Sequence, residues 1–185
     1  MDDFWHAVAM LRLDRPFGLA ELSSCFAGGK AAAGLVGFRR GRLLATTCGY
    51  GLDGAFEAMA RVWMPWRGKS LSPQAAEGLN LFTPGGRRLI RAIFPGYEGL
   101  TDVDEGSSAF RFATSVGPSA THAGTEVLRL DYRGFGENPS FPVRSTLDEL
   151  VQIEHGLYLG QALLWRKGRR PTRVAWFSLE DVTRP

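Results

Sequence analysis

Two segments near the C-terminal end of the chain, residues 157–165 (LYLGQALLW) and 173–179 (RVAWFSL), are apolar on both faces. Successive side chains of a β-strand point to opposite faces, so a strand of this composition must be covered on both sides. An antiparallel barrel provides that cover when a helix packs outside it or a ligand occupies its interior. The two segments therefore predict walls of a β-barrel.

Short apolar segments separated by turn residues continue this pattern from residue 35 to residue 180, and 88–94 is expected to be one of the extended pieces. The chain has 23 glycines and 10 prolines, which favours many turns over a helical bundle. A length of 185 residues fits one domain. The prediction is a mainly β fold, with one antiparallel barrel over 35–180 in a single domain, 1–185.

Helical spacing occurs in two other places. Residues 1–34 carry two apolar series and are predicted to form a helical N-terminal flank of the barrel. Residues 54–63 carry a third, and this short helix is expected to pack outside the barrel or across one end. The three series are Phe4, Trp5, Val8 and Leu11; then Leu19, Leu22, Cys25 and Phe26; then Phe56, Met59, Ala60 and Trp63.

Charge, the N-terminal sequence and cysteine usage indicate which partners and which cellular compartment to expect. The formal net charge is +3, and the densest basic run, 166–173, lies between two apolar segments as a solvated hairpin tip would, so no nucleic-acid partner is expected. The acidic start lacks the character of a signal peptide, and no apolar run is long enough to span a membrane. We expect a cytoplasmic protein with Cys25 and Cys48 as free thiols. Homo-oligomerisation stays open.

The motifs associated with cofactors lack their context. Residues 49–54 read GYGLDG, a GxGxxG pattern, but no second strand ending in Asp or Glu follows about 20 residues later. Gly68-Lys69-Ser70 resembles the end of a P-loop, whose earlier glycine is replaced by Trp63. The three histidines lack the spacing of metal ligands. We therefore expect no cofactor and no metal.

Charged residues interrupt apolar strands between 126 and 160. Asp131, Arg144, Asp148 and Glu149 must be paired or hydrogen-bonded if they are buried there. Alternation places Asp148 and Glu149 on opposite faces, and the apolar neighbours of Glu149 favour it as the inward residue. The charges either form a salt-bridge network that fixes the strand register or a polar patch in a binding pocket.

Six short motifs occur in a characteristic order: WRGKS at 66–70, GLNLF at 78–82, LDY at 130–132, ENP at 137–139, DELV at 148–151 and LYLG at 157–160. In this order they resemble an uncharacterised bacterial family associated with a lipocalin-like (calycin) β-barrel. The resemblance covers about residues 35–180. It implies a closed antiparallel barrel with an apolar interior, and it supplies no catalytic residue, because the family has no established reaction.

The leading hypothesis is that the barrel binds a small apolar or amphipathic molecule. Lys69, Asn80, Arg144 and Glu149 would orient a polar head group, and a carboxylate or similar anion facing Arg144 is the natural choice because arginine pairs with carboxylates in a bidentate way. Aromatic side chains would form the walls: Phe82, Phe110, Phe112, Tyr132, Tyr158, Trp165 and Trp176.

Two alternatives stay open. The same cavity would serve an enzyme with Glu149 or Asp131 as general base and Tyr132 or Tyr158 as proton donor. A structural or interaction protein would have a barrel filled with side chains. An open apolar interior with one charged pair favours binding, whereas an unpaired buried carboxylate beside a tyrosine favours catalysis.

Overall fold

The computed structural model describes residues 2–47, 65–72, 76–104, 106–166 and 168–182. Three helices are present in these ranges: α1 (Asp2–Leu13), α2 (Arg15–Gly28) and α3 (Pro84–Ile93). The strands are β1 (Lys30–Ala31), β2 (Gly37–Thr46), β3 (Trp66–Ser72), β4 (Glu77–Phe82), β5 (Thr101–Val103), β6 (Gly106–Pro118), β7 (Glu126–Asp131), β8 (Thr146–Glu154), β9 (Leu157–Leu164) and β10 (Thr172–Glu180).

Eight of these strands close into an antiparallel barrel. Their order is β8-β7-β6-β4-β3-β2-β10-β9, and β9 pairs again with β8 to complete the ring. The two short strands lie beside it, with β1 on β8 and β5 on β6. The prediction of a mainly β fold with a single antiparallel barrel is confirmed.

Helices α1 and α2 cover one side of the outer wall and explain the strands that are apolar on both faces. Leu157 and Leu159 of β9 are fully buried against Phe4 and Phe26 of the helices. Tyr158, which lies between them in the sequence, belongs to a separate cluster of buried side chains inside the barrel. The Asp14 side chain caps α2 by accepting a hydrogen bond from the backbone N–H of Phe17, at 3.2 Å. The two N-terminal helices are as the sequence predicted.

One end of the barrel interior is filled by side chains. Glycines make room for two rings there, because a Cβ atom on Gly78 would collide with the ring of Phe112 and one on Gly160 with the ring of Phe177. The buried members of this interior cluster are Ala32, Leu35, Leu71, Phe112, Leu128, Leu130, Tyr132, Leu150, Tyr158, Phe177 and Leu179.

The expectation that 88–94 is extended is wrong, since most of it lies in α3. Pro84 occupies the first turn of that helix, where its missing N–H costs no hydrogen bond. Gly86 and Ile90, four residues apart, form its buried side next to Phe82. The helix predicted at 54–63 and the glycine motif at 49–54 lie outside the described residues. Among the described helices, none has the length and hydropathy needed to cross a membrane.

Candidate ligand-binding site

The other end of the barrel interior holds a cavity of about 250 Å³. Its walls are mainly apolar and aromatic, and they come from most of the barrel strands and from the short 3-10 turn Val143–Ser145. The lining residues are Leu43, Trp66, Lys69, Asn80, Phe82, Phe110, Tyr132, Pro142, Val143, Thr146, Asp148, Ala162 and Phe177.

A buried ion pair lies at the inner limit of this cavity. The Nζ atom of Lys69 is 2.8 Å from Oδ2 of Asp148, and the two side chains are only 3% and 6% exposed. Two residues further along the inward faces of the same strands, Leu71 and Leu150 belong to the filled end of the barrel. The ion pair therefore lies at the boundary between the filled end and the cavity, where Tyr132 and Phe177 contact both regions.

Asn80 and Tyr132 complete a polar cluster with this pair. The Lys69 ammonium donates to Oδ1 of Asn80 and to the Tyr132 hydroxyl, both at 2.7 Å. That hydroxyl donates to Asp148 Oδ2 at 2.8 Å and accepts from the Asn80 amide at 3.1 Å. The indole N–H of Trp66 donates to Asn80 Oδ1 at 3.1 Å. We call Lys69, Asn80, Tyr132 and Asp148 the polar cluster.

Side chains alternate between the two faces of a strand, and this alternation points three of these side chains into the barrel interior. Lys69 shares the inward face of β3 with Leu71, Asn80 shares that of β4 with Phe82, and Asp148 shares that of β8 with Leu150. Tyr132 follows directly after β7. Because each residue comes from a different part of the barrel wall, their mutual bonds brace the barrel across its interior.

Burial and charge set the protonation of the cluster. Loss of solvent lowers the pKa of Lys69 because it disfavours the ammonium, while the carboxylate of Asp148 opposes this effect. Burial, followed by the charge of Asp148, raises the pKa of Tyr132 well above its ordinary value, so its hydroxyl stays protonated and donates. The Lys69 nitrogen also lies 5.2–5.5 Å from the centres of four aromatic rings, Trp66, Phe112, Tyr132 and Phe177.

The prediction that Glu149 faces the interior is wrong. Asp148 lines the cavity, and Glu149 is buried on the other side of the barrel wall. There its carboxylate accepts hydrogen bonds from Ser119 Oγ and from the backbone N–H of Ala120, both at 2.7 Å, and from the Gln161 amide at 2.9 Å. Its apolar neighbours on β8, such as Val151, pack with α1 and α2 rather than in the lumen.

The other predicted site residues divide into two groups. Lys69, Asn80, Phe82, Phe110 and Tyr132 line the cavity together. Four others do not line it. Phe112 and Tyr158 belong to the interior cluster. Trp176 is buried on the outside of the barrel wall, against side chains of α1 and α2. Trp165 follows β9 with the Arg133 guanidinium 5.8 Å from its ring centre.

Arg144 does not line the cavity either, so the expected anion partner is not in place. It lies within the 3-10 turn, and its Nε is enclosed with no hydrogen-bond partner among the described residues. Asp131, the other carboxylate considered as a base, pairs with Arg133 at 2.6 Å and also does not line the cavity. Asp148, Trp66 and Phe177 are among the lining residues that the sequence did not predict. Trp66 and Asp148 lie in the ordered motifs, and this was the signal that could have identified them.

The described part of the chain brings together no group of three or more His, Cys, Asp or Glu side chains suited to a metal ion. Of the two cysteines, Cys25 is a half-buried free thiol on α2, and burial raises its pKa. Cys48 lies outside the described residues.

A crystal structure of a protein from Thermomonospora curvata has a similar fold. The two structures superpose with a TM-score of 0.52 at 13% sequence identity, over 97% of this chain and 98% of that chain. At this level of identity the similarity establishes the fold alone. No protein-family model matches the sequence, and the search of curated proteins found no match.

Proposed function

We propose that the protein binds a small amphipathic molecule in the barrel cavity. The apolar part would contact the aromatic walls around Trp66, Phe110 and Phe177, and the polar part would face the polar cluster. The observation that carries this proposal is an unfilled, mainly apolar cavity that ends on a buried charged pair. This is the combination expected of a small-molecule site, in which apolar walls supply affinity and a few polar groups supply orientation.

The cavity volume limits the size of the ligand portion that the barrel can enclose. Drug-sized molecules occupy pockets of about 300–1,000 Å³, and an apolar cavity of about 150 Å³ is enough for benzene. At about 250 Å³, the cavity suits a single ring with one small substituent, or a short chain. The aromatic lining favours a ring, because offset and edge-to-face contacts between rings add to the free energy of burial.

The hydrogen bonds of the polar cluster favour binding over catalysis. Asp148 is paired with Lys69 and accepts from Tyr132, so it is not the unpaired carboxylate beside a tyrosine that would favour catalysis. The raised pKa of Tyr132 likewise keeps its proton in place. A cluster held by mutual bonds is already ordered before a ligand arrives, which reduces the entropy lost on binding. The lipocalin-like resemblance supports the same assignment of the barrel interior to a ligand.

A cavity-filling variant tests the proposal. Ala162 lines the cavity, and Ala162→Phe would place a ring in the space that the ligand needs while keeping all four residues of the polar cluster. Ala92→Phe adds the same ring to the exposed side of α3 and serves as the matched control. NMR titration of the wild-type protein with benzyl alcohol should show saturable binding that Ala92→Phe retains and Ala162→Phe loses. Equal binding to all three proteins would overturn the proposed site.

A further inference from the structure

The polar cluster has no hydrogen-bond donor left for a ligand. A lysine ammonium carries three N–H groups, and those of Lys69 are directed to Asp148, Asn80 and Tyr132. The two amide hydrogens of Asn80 go to the Tyr132 hydroxyl and to the backbone carbonyl of Phe110, each at 3.1 Å. The single hydroxyl hydrogen of Tyr132 goes to Asp148.

The cluster does have an unused hydrogen-bond acceptor. Lys69 and Tyr132 both bond to the same oxygen of the Asp148 carboxylate, Oδ2. Within the described residues, Oδ1 receives no hydrogen bond, although a carboxylate oxygen accepts two. Asp148 lines the cavity, and Oδ1 is not among the fully enclosed side-chain atoms that lack a partner, so a ligand in the cavity would reach this oxygen.

We infer that the cavity selects ligands whose polar group is a neutral hydrogen-bond donor, such as the hydroxyl of a phenol or benzylic alcohol, and that Asp148 Oδ1 accepts this hydrogen. The inference rests on the proposed function, because it specifies the ligand class of the same cavity. A hydroxyl donor on the ligand would bond to Asp148 Oδ1, and no hydrogen bond within the cluster would have to break.

The other ligand classes meet a cost. A ketone or ether brings only an acceptor, so a donor of the cluster would have to leave its buried partner unsatisfied. A carboxylate would place a second negative charge beside Asp148, whose own charge already neutralises Lys69. A cationic head group would meet the Lys69 ammonium at short range. A neutral donor avoids all three costs.

Four single-ring probes compare a neutral donor with acceptor, apolar and anionic ligands: benzyl alcohol, its isomer anisole, toluene and benzoate. Benzyl alcohol and anisole share size and composition and differ in the hydroxyl hydrogen. Titration of the wild-type protein at pH 7 should show benzyl alcohol binding roughly tenfold or more tightly than anisole or toluene, and benzoate most weakly, because a hydrogen bond to a charged group is worth this factor or more.

The outcomes distinguish the two proposals. If anisole or toluene binds as tightly as benzyl alcohol, the donor inference is overturned while binding in the cavity stands. If benzoate binds most tightly, the head group is an anion and the inference is again overturned. If none of the four binds, the proposed function itself fails and the inference fails with it.

Asp148→Asn sharpens the test. Its amide oxygen would take the position that faces Lys69 and Tyr132, which leaves the amide N–H₂ at the open position. The preference for benzyl alcohol over anisole should then disappear or reverse. Glu149→Gln makes the same chemical change on the neighbouring residue outside the barrel and should keep the wild-type preference. An unchanged preference in a folded Asp148→Asn protein contradicts the inference, and the wild-type probe series decides the matter if that variant fails to fold.

Discussion

Lys69 and Asp148 form their ion pair across the full width of the barrel. Their strands, β3 and β8, are four positions apart in either direction around the eight-strand ring, and yet Nζ and Oδ2 are separated by only 2.8 Å. A pair placed in this way ties opposite walls together. It also brings two charges out of solvent, so its loss should have a different cost from the loss of a surface pair.

Removing one partner of this pair should destabilise the protein strongly. Lys69→Met leaves Asp148 buried without its cation, and we expect the free energy of unfolding to fall by about 3–5 kcal/mol. The double variant Lys69→Met with Asp148→Leu should recover much of this loss, because no unpaired charge remains. Equilibrium denaturation in urea measures both. A double variant no more stable than the single one would show that the cost arises from packing instead.

The Tyr132 hydroxyl should contribute measurably to stability. It exchanges hydrogen bonds with Lys69, Asn80 and Asp148, so Tyr132→Phe should lower the free energy of unfolding by about 1–3 kcal/mol. Tyr158→Phe is the matched control inside the same barrel, since the described residues make no hydrogen bond to that hydroxyl. Thermal and urea unfolding should show a clearly smaller effect for the control. Equal losses would argue against the bonding of the cluster.

Glu149 should matter for stability and leave ligand affinity unchanged. Glu149→Gln replaces an oxygen that accepts from Ser119, Ala120 or Gln161 with an N–H₂ group, which leaves a buried donor facing another donor. We expect a loss of about 1–3 kcal/mol in the free energy of unfolding. Glu126→Gln, at an exposed position on β7, should have little effect. A large change in benzyl alcohol affinity in Glu149→Gln would contradict its placement outside the barrel.

His122 should make stability depend on pH. Burial, then the charge of Arg173, lowers the pKa of His122 below its ordinary value of about 6.5, against a smaller opposite effect of Glu149. The unfolded chain therefore binds a proton at a higher pH than the folded one. The stability contributed by neutral His122 is complete above about pH 6.5 and is lost as the pH falls through its lower folded pKa.

A variant comparison isolates this effect. His122→Asn removes the titrating ring and should flatten the fall in stability between pH 6.5 and acid conditions. His155→Asn, at an exposed turn, is the control and should keep the wild-type profile. Urea unfolding at several pH values gives the comparison. A profile that stays the same in His122→Asn would assign the pH dependence to other groups.

Much of the barrel could be predicted from local pattern. The runs that are apolar on both faces required cover on two sides, and the structure provides it with α1 and α2 outside and side chains inside. The helical spacing of the first 28 residues was equally direct. The segment 88–94 was wrongly predicted to be extended, because Pro84, Gly85 and Gly86 before it look like a turn. In the structure, tertiary contacts of Gly86 and Ile90 stabilise a helix there.

Sequence alone determined that Asp148 and Glu149 lie on opposite faces of one strand, because the side-chain period of a strand is two residues. Only the tertiary structure decided which of them is inside. Alternation leaves the two faces equivalent until helices pack on one of them, and here the more apolar face of β8 meets α1 and α2. The partnership of Lys69 and Asp148, 79 residues apart in the chain, likewise exists only because closure of the barrel brings opposite strands face to face.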